Sequence, residues 1–403
     1  MNPHPHRTRW AVLAAAGALV AALAAGAGTP ALAAAPSAPA SATATRPALP
    51  PLDRAALRAA LADRPAADVS AGFVRVTGPA GRFEGSSAEP GMRVDPSGRF
   101  RIGSVSKVFT ATVVLQLAGE GRVDLDGSVR RYLPDFPFAE VTVGQLLNHT
   151  SGLPAGTDDF WGDGTTGWFE RHRFDAPTPE EIVAGLNGRA LAFDPGTAQR
   201  YNGMNTFVAG LVVEAVTGHR YADELRDRII RPLGLRDTDL PDGDDPGLRH
   251  PATRPYLTVP DAGGGSHRVD VTEQSPFPWA EGGMISSAPD LERFMTALFR
   301  GRLLPPAQQE KLFTVPDVPV VPGGNHCPDG TACMSMGLES GEADGIVVWG
   351  KTGSRPGSTS GVFATRDLSR TVVYSVDPTA LTGAETPYAL GLLTTAFGLA
   401  PRH

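Results

Sequence analysis

The alternation of apolar and polar residues predicts strands at both ends of the chain. In residues 72–88, GFVRVTGPAGRFEGSSA, this alternation predicts two short strands joined by a turn at Gly78–Gly81. A last helix is predicted over about residues 383–398. Just before that helix, short apolar runs predict three further strands, at 345–350, 361–366 and 371–376.

Helical patterns fill the sequence between these strands. Residues 105–121 are apolar on nearly every side until Gly119 and Gly121, which indicates a helix inside the protein. Residues 286–299 predict an amphipathic helix, with Ser287 as its N-cap and Pro289 in its first turn.

Strands at the two ends with helices between them predict an α+β fold. We expect the N-terminal and C-terminal segments to form one antiparallel sheet flanked by helices, with a mostly helical region inserted. One domain is expected over residues 52–403. Its α/β part covers about 52–120 and 285–403, and the helical insertion covers about 121–284.

Composition excludes some classes of protein. The chain has 403 residues, of which 41% are apolar and 20% charged, so it can bury a sizeable core. Its formal net charge is −7, and it contains no basic run. A nucleic-acid partner is therefore not expected.

The N-terminus predicts export. Arg7 and Arg9 precede an Ala-rich apolar stretch and the small residues ending at Ala33, which is typical of a signal peptide over residues 1–33. A retained membrane anchor is the alternative, although the apolar stretch is short for a span. An Ala/Pro-rich linker is expected over residues 34–51. No later run of 18 apolar residues occurs, so we expect a secreted protein without a stable membrane span.

The two cysteines fit an oxidising compartment. Cys327 and Cys333 are separated by five residues, including Pro328 and Gly330, and such a loop can close as a disulfide. A pair of free thiols is the alternative. One nearby histidine, His326, does not make a four-ligand zinc site, and no HExxH motif occurs, so no metal is expected.

The scarcity of lysine draws attention to Lys107. Of 36 lysine and arginine residues, only Lys107, Lys311 and Lys351 are lysines. Arginine stays protonated in proteins, whereas a buried lysine can lose its proton. Ser104 lies three residues before Lys107, so on a helix the hydroxyl and the amine share one face. The pattern predicts a nucleophile beside its base.

Lys351 begins a second candidate motif, Lys-Thr-Gly at 351–353, directly after a predicted strand. Gly353 would let a peptide-like substrate lie against the strand edge. The stretch GIVVWGKT also matches the phosphate-loop pattern letter for letter. Its middle residues are strand formers and no helix can follow it, so nucleotide binding is not expected.

Ser-x-x-Lys at 104–107 with Lys-Thr-Gly at 351–353 resembles the penicillin-recognising serine hydrolases. The similar branch comprises class C β-lactamases, D-alanyl-D-alanine carboxypeptidases and related esterases. The resemblance spans about residues 70–395. Three other stretches look similar to that branch: LLNHTSGLP (146–154), DLDGSVRRYLP (124–134) and EGGMISSAPDLERF (281–294).

The resemblance implies acyl transfer without a cofactor. Ser104 would attack a carbonyl, and Lys107 and Tyr201 would share the acid–base role. The backbone N–H groups of Ser104 and Ser354 would hold the oxyanion. Lys351 and Thr352 would hold a carboxylate of the substrate. Gly353 and Arg355 are the other substrate contacts expected on this strand.

The third motif of the family, Tyr-x-Asn, is incomplete. Tyr201 fits the tyrosine, but Gly203 stands where the family has asparagine. Asn202 or Asn205 could replace that amide as a substrate contact. His149 is interpreted as structural.

These features predict an exported serine hydrolase that acts on peptide-like or β-lactam carbonyls, in the manner of a D-alanyl-D-alanine carboxypeptidase or a β-lactamase. An esterase on the same scaffold is one alternative, and a non-catalytic penicillin-binding-like protein is another. The expected partner is a small molecule or a cell-wall peptide, and the protein is expected to be a monomer.

Overall fold

A computed structural model describes residues 49–156, 162–322, 327 and 330–399. The predicted signal peptide (1–33) and most of the predicted linker (34–51) lie outside the described residues. Across the described ranges, no helix combines the length and the apolarity that crossing a bilayer requires.

One six-stranded antiparallel sheet joins the two ends of the chain, as predicted. From edge to edge its strand order is β2-β1-β10-β9-β8-β7. The strands are β1 (Val69–Thr77), β2 (Phe83–Ala88), β7 (Glu339–Ala343), β8 (Ile346–Arg355), β9 (Ser358–Thr365) and β10 (Thr371–Pro378). The N-terminal strand β1 pairs with the last strand, β10, over almost its whole length. The α+β prediction is therefore confirmed.

Helices cover both faces of this sheet. On one face, α1 (Arg54–Ala62) packs with the last helix, α11 (Thr386–Phe397), over apolar residues of β1 and β10. On the other face, α2 (Ser106–Gly119) and α9 (Ala288–Phe299) form the larger core. Phe109 and Phe294 stack there with ring centroids 3.8 Å apart. Ser287 caps α9 by accepting from the N–H of Asp290, as the sequence predicted.

Among the described residues between 121 and 284, short helices alternate with loops and one hairpin, so helix takes up less of this region than the sequence predicted. Its helices are α3 (Val143–Leu147), α4 (Thr166–His172), α5 (Pro179–Ala184), α6 (Met204–Thr217), α7 (Tyr221–Leu225) and α8 (Arg231–Leu233). A π-helical turn, Arg226–Ile230, links the last two, and α10 (Pro306–Leu312) follows α9. The hairpin is β4 (Tyr256–Pro260) with β5 (Ser266–Asp270).

A two-stranded pair fixes this region against the start of α2. Strand β3 (Arg99–Arg101) pairs with β6 (Ile285–Ser287). The short helical turn at Trp279–Glu281 lies just before β6. Because β3 leads directly into the segment around Ser104, the pairing brings residues near 281 beside that serine.

Candidate active site

Ser104 lies in a 3-10 turn, Gly103–Val105, that leads into α2. Gly103 has φ +50°, a conformation that favours glycine. A Cβ atom on Gly103 would lie 2.5 Å from the backbone nitrogen of Ser354, so strand β8 packs tightly against this turn. The turn therefore holds Ser104 next to the backbone of Ser354, the two residues predicted to form the oxyanion hole.

Lys107 is buried one turn beyond Ser104, with 4% of its surface exposed. Its Nζ donates to Ser104 Oγ at 2.9 Å. The same nitrogen donates to the carbonyl oxygen of Glu281 at 2.7 Å and to Glu281 Oε1 at 2.6 Å. Burial lowers the pKa of Lys107 to about 8, and Lys351 lowers it further while Glu281 opposes the change. At pH 7 roughly one lysine in ten is then a neutral amine.

Tyr201 bonds the same oxygen from the other side. Its hydroxyl donates to Ser104 Oγ at 2.7 Å. Lys107 Nζ lies 5.2 Å and Lys351 Nζ 4.7 Å from the centre of its ring. Burial raises the pKa of Tyr201 well above its ordinary value, so the phenol keeps its proton at neutral pH. The structure thus brings Ser104, Lys107 and Tyr201 together.

Lys351 and Thr352 already hold a carboxylate from this chain. Glu339, on the edge strand β7, forms a buried ion pair with Lys351. Its Oε2 atom also accepts from Thr352 Oγ1 at 3.3 Å. The sequence analysis assigned this pair of side chains to a substrate carboxylate and did not foresee Glu339. Neither strand β7 nor the glutamate within it showed an apolar alternation that could have revealed it.

Gly353 has a packing role that the sequence did not reveal. A Cβ atom there would collide with the carbonyl oxygen of Ile102. The glycine therefore allows β8 to approach the backbone before Ser104, and a substrate lying against Gly353 stays a prediction.

Arg355 lies at the end of β8, half-buried. Its Nη2 atom donates to Gln274 Oε1 at 2.7 Å and to the carbonyl oxygen of Ser275 at 3.2 Å. Both partners are uncharged. Burial lowers the pKa of Arg355 to about 10, so it remains a cation at neutral pH. A substrate contact by Arg355 stays a prediction.

Asn205 does not face Ser104. Its side chain is fully buried, accepting from Ser151 Oγ at 2.6 Å and lying 3.0 Å from His149 Nδ1. Asn202 is likewise engaged, because its Nδ2 atom donates to the carbonyl oxygens of Leu153 and Pro154. The predicted substrate contact at Asn205 is therefore wrong, since both ends of its amide support neighbouring segments.

Glu281 is a site residue that the sequence analysis missed. Gly203 gives it room, because a Cβ atom at residue 203 would lie 2.6 Å from Glu281 Oε1. In this chain the glycine of the incomplete third motif thus leaves space for a carboxylate. The one signal in the sequence was an acid in the stretch 281–294 directly before two glycines, Gly282 and Gly283.

The predicted disulfide between Cys327 and Cys333 is present. With Met334 it forms a small buried cluster against which Tyr201 packs. The disulfide therefore takes part in the packing that holds Tyr201.

Comparison with known proteins places this geometry in a family. A family model described as Beta-lactamase matches residues 55–399. The chain is similar to a D-stereospecific amidohydrolase from Streptomyces sp., with a TM-score of 0.74 and 32% identity over 86% of this chain and 100% of that one. It is also similar to a D-amino acid amidase from Ochrobactrum anthropi, with a TM-score of 0.68 and 26% identity over 85% of this chain and 97% of that one.

Two curated relatives match a shorter stretch. Penicillin-binding protein 4* of Bacillus subtilis is 33% identical over 34% of this chain, and penicillin-binding protein 4 of Amycolatopsis lactamdurans is 37% identical over 36% of it. The match spans only 30% and 37% of those two relatives' lengths. The family model, in contrast, matches most of the chain, and on that match the chain belongs to the Beta-lactamase family.

Proposed function

We propose that this protein is a serine hydrolase that cleaves amide bonds through an acyl-enzyme on Ser104. The observation that carries this proposal is the convergence of two donors, the buried Lys107 Nζ and the half-buried Tyr201 OH, on Ser104 Oγ at 2.9 Å and 2.7 Å. A serine hydroxyl is a weak nucleophile until a neighbouring base removes its proton.

In the proposed reaction, Ser104 Oγ attacks the substrate carbonyl as its proton moves to the neutral amine of Lys107. The backbone N–H groups of Ser104 and Ser354 hold the oxygen on which charge develops. Tyr201, which keeps its proton at neutral pH, and the Lys107 ammonium are the proton donors beside the leaving group. Water then releases the acyl group by the reverse sequence.

The proposed substrates are amides of D-amino acids. The 32% identity to a D-stereospecific amidohydrolase supports this class. Glu339 supports it as well, because the Lys351–Thr352 pair is already occupied by its carboxylate. A substrate that ends in a carboxylate beside the scissile bond would meet a negative charge at that place.

D-alanyl-D-alanine carboxypeptidase activity is the second candidate. Arg355 favours it, because this half-buried cation has only uncharged hydrogen-bond partners among the described residues and can attract a carboxylate. The two candidates therefore differ in the charge of the leaving group.

A matched substrate panel tests the proposal. The panel contains D- and L-phenylalanine amide, N-acetyl-D-Ala-D-Ala and its C-terminal amide, a chromogenic cephalosporin and nitrophenyl acetate. Wild-type protein and Ser104→Ala are compared on each. We expect the D-amide to be cleaved at least tenfold faster than the L-amide, and Ser104→Ala to be inactive.

The other outcomes reject this assignment in different ways. Preference for the free acid of N-acetyl-D-Ala-D-Ala would favour the carboxypeptidase, and fast cephalosporin turnover a β-lactamase. Turnover of the nitrophenyl ester alone would favour an esterase. No turnover and no labelling of Ser104 by a fluorescent penicillin, in folded protein, would favour a binding protein.

Export of a monomer is part of the proposal. The N-terminal pattern of residues 1–33 and the disulfide support an extracellular location. Size-exclusion chromatography of the mature protein tests whether it is a monomer.

A further inference from the structure

We propose that Glu281 is a positioning residue for the proton transfer, which orients Lys107 and stabilises the ammonium that forms when Lys107 takes the proton of Ser104. The inference rests on the proposed function and adds a carboxylate to the Ser104, Lys107 and Tyr201 group. Glu281 is not expected to touch the substrate, and its effect is exerted through Lys107.

The geometry of Lys107 Nζ supports this role. An ammonium has three N–H donors, and three acceptors surround this nitrogen: Ser104 Oγ, the Glu281 carbonyl oxygen and Glu281 Oε1. Two of these three acceptors belong to Glu281, so this one residue sets the orientation of the amine. In the ammonium the third N–H then points at Ser104, and in the neutral amine the lone pair does. Lys107 is 4% exposed, which leaves little room for water to replace them.

The charges around Lys107 give Glu281 a second effect. Lys351, from strand β8, disfavours the ammonium, while Glu339 on β7 favours it. Tyr201 and His149 also face this space, and Lys351 and Glu339 are paired with each other. Glu281 is therefore the nearest charge that offsets the burial of Lys107.

The proton balance shows where the carboxylate acts. Ser104 loses its proton to the lone pair of Lys107 as the bond from Oγ to the carbonyl carbon forms, and the carbonyl π electrons move to oxygen. Lys107 becomes an ammonium opposite the Glu281 carboxylate. When the oxyanion re-forms the carbonyl and the bond from carbon to the leaving nitrogen breaks, that nitrogen takes the proton from the Lys107 ammonium. Glu281 thus keeps its charge throughout, as the aspartate does in a Ser-His-Asp triad.

Gly203 leaves the space that the Glu281 side chain occupies. A Cβ atom at residue 203 would lie 2.6 Å from Glu281 Oε1 and 2.8 Å from its Cγ. The backbone of Gly203 has φ −62°, which any residue adopts, so only the space taken by Glu281 requires glycine there. A side chain at 203 and the Lys107–Glu281 contact are therefore mutually exclusive.

The test is the pH dependence of kcat/KM with an uncharged ester, measured for wild-type protein, Glu281→Gln and the surface control Glu310→Gln. We expect the wild-type rate to rise with pH through an apparent pKa near 8, as Lys107 loses its proton. Glu281→Gln removes the charge that opposes this loss, so its acid limb moves to lower pH by about one unit or more. Its plateau falls about tenfold or more, because Lys107 is then a weaker base.

Gly203→Ala is an independent variant that does not change a charge. It should displace Glu281 and move the acid limb in the same direction, whereas Gly391→Ala, on a helical position with open space for a Cβ atom, should leave the pH profile unchanged. In a Glu281→Ala background, Gly203→Ala should have almost no further effect, because the two residues act on one contact.

The outcomes separate this inference from the proposed function. Folded Glu281→Gln or Gly203→Ala with an unmoved acid limb overturns the role of Glu281, even if activity falls, while Ser104→Ala still shows whether the serine is required. Turnover that survives in Ser104→Ala overturns the proposed function itself.

Discussion

At the scale of single residues, the proposed chemistry depends on what a lysine can do that an arginine cannot. The chain uses arginine almost everywhere for positive charge, yet it buries Lys107 beside Ser104 and Lys351 beside Tyr201. Burial lowers the pKa of Lys107 towards neutrality, and an arginine at the same place would keep its proton.

Lys107→Arg tests this difference directly. The substitution keeps a cation near Ser104 but removes the base, so kcat/KM for the favoured amide should fall about a thousandfold. Lys311→Arg is the matched control at the third lysine, in the last turn of α10, and should leave activity unchanged. A Lys107→Arg protein that keeps more than a tenth of wild-type activity would show that this lysine is not the base.

The third motif could be interpreted only in part from the sequence. The pattern identified Tyr201 and noted that Gly203 is unusual, but it suggested Asn205 as a replacement. Residue spacing on α6 could not reveal that Asn205 points towards Ser151 and His149, nor that Glu281, about 80 residues further along the chain, fills the place beside Gly203.

At the scale of elements, the site is created where strand β8 touches the turn before α2. Across this contact Gly103 faces the backbone of Ser354 and Gly353 faces the backbone of Ile102, and neither glycine has room for a side chain. The contact sets the distance between the backbone nitrogens of Ser104 and Ser354, and so the geometry available to an oxyanion.

Gly353→Ala should separate these two elements. The new Cβ atom would collide with the carbonyl oxygen of Ile102, which belongs to the backbone and cannot rotate away. We expect a loss of about 1–3 kcal/mol in the free energy of unfolding and a fall in kcat of about a hundredfold. Urea denaturation and steady-state kinetics measure both, with Gly391→Ala as the control. Wild-type values for Gly353→Ala would contradict the close approach of β8.

Elements with a strong apolar period were predicted well. The helix capped by Ser287 and the last three strands appear in the structure close to their predicted positions. The helix buries one apolar face, and the strands are buried along nearly their whole length. Strand β7, with the sequence ESGEA, shows no such apolar period. It lies at the sheet edge, and Glu339 within it is held by an ion pair with Lys351. Its position depends on β8, which a local pattern does not encode.

At the scale of the whole molecule, the two ends of the chain are held in one sheet. Arg370 is fully buried and donates to the carbonyl oxygens of Pro50, Ala80 and Ala396, which lie in three separate segments. At the end of β10, Asp377 is buried beside β1. Its Oδ2 atom has no hydrogen-bond partner within the described ranges.

Asp377 should make stability depend on pH. Burial raises the pKa of this carboxyl to about 7, so between about pH 4 and pH 7 the folded state binds its proton more tightly than the unfolded state. Stability is therefore lost as pH rises through this range. Asp377→Asn keeps the shape without the charge and should be more stable than wild type at pH 8 by about 1–3 kcal/mol, but not at pH 4.

Urea denaturation at the two pH values measures this effect. For the exposed control Asp135→Asn, the difference from wild type in the free energy of unfolding should be the same at both pH values. An Asp377→Asn protein whose stability relative to wild type is independent of pH would show that Asp377 does not titrate in this range.

The arrangement of the whole molecule was predictable because its two ends carry strong strand patterns, whereas the pairing of β3 with β6 was not. Those two strands have three residues each, too few to show a period. They nevertheless determine that Glu281 lies beside Lys107, which is why the sequence identified the nucleophile and its base but not the carboxylate behind them.

An acyl-enzyme on Ser104 would raise the mass of the protein during turnover, so mass spectrometry tests the proposed mechanism directly. Wild-type protein mixed with excess D-phenylalanine amide or a slowly released β-lactam, and quenched in acid within milliseconds to seconds, should carry one acyl group. Proteolysis should locate that group on the peptide containing Ser104. Ser104→Ala should carry none. Turnover without an adduct in wild type, or an adduct on another residue that persists in Ser104→Ala, would contradict the account.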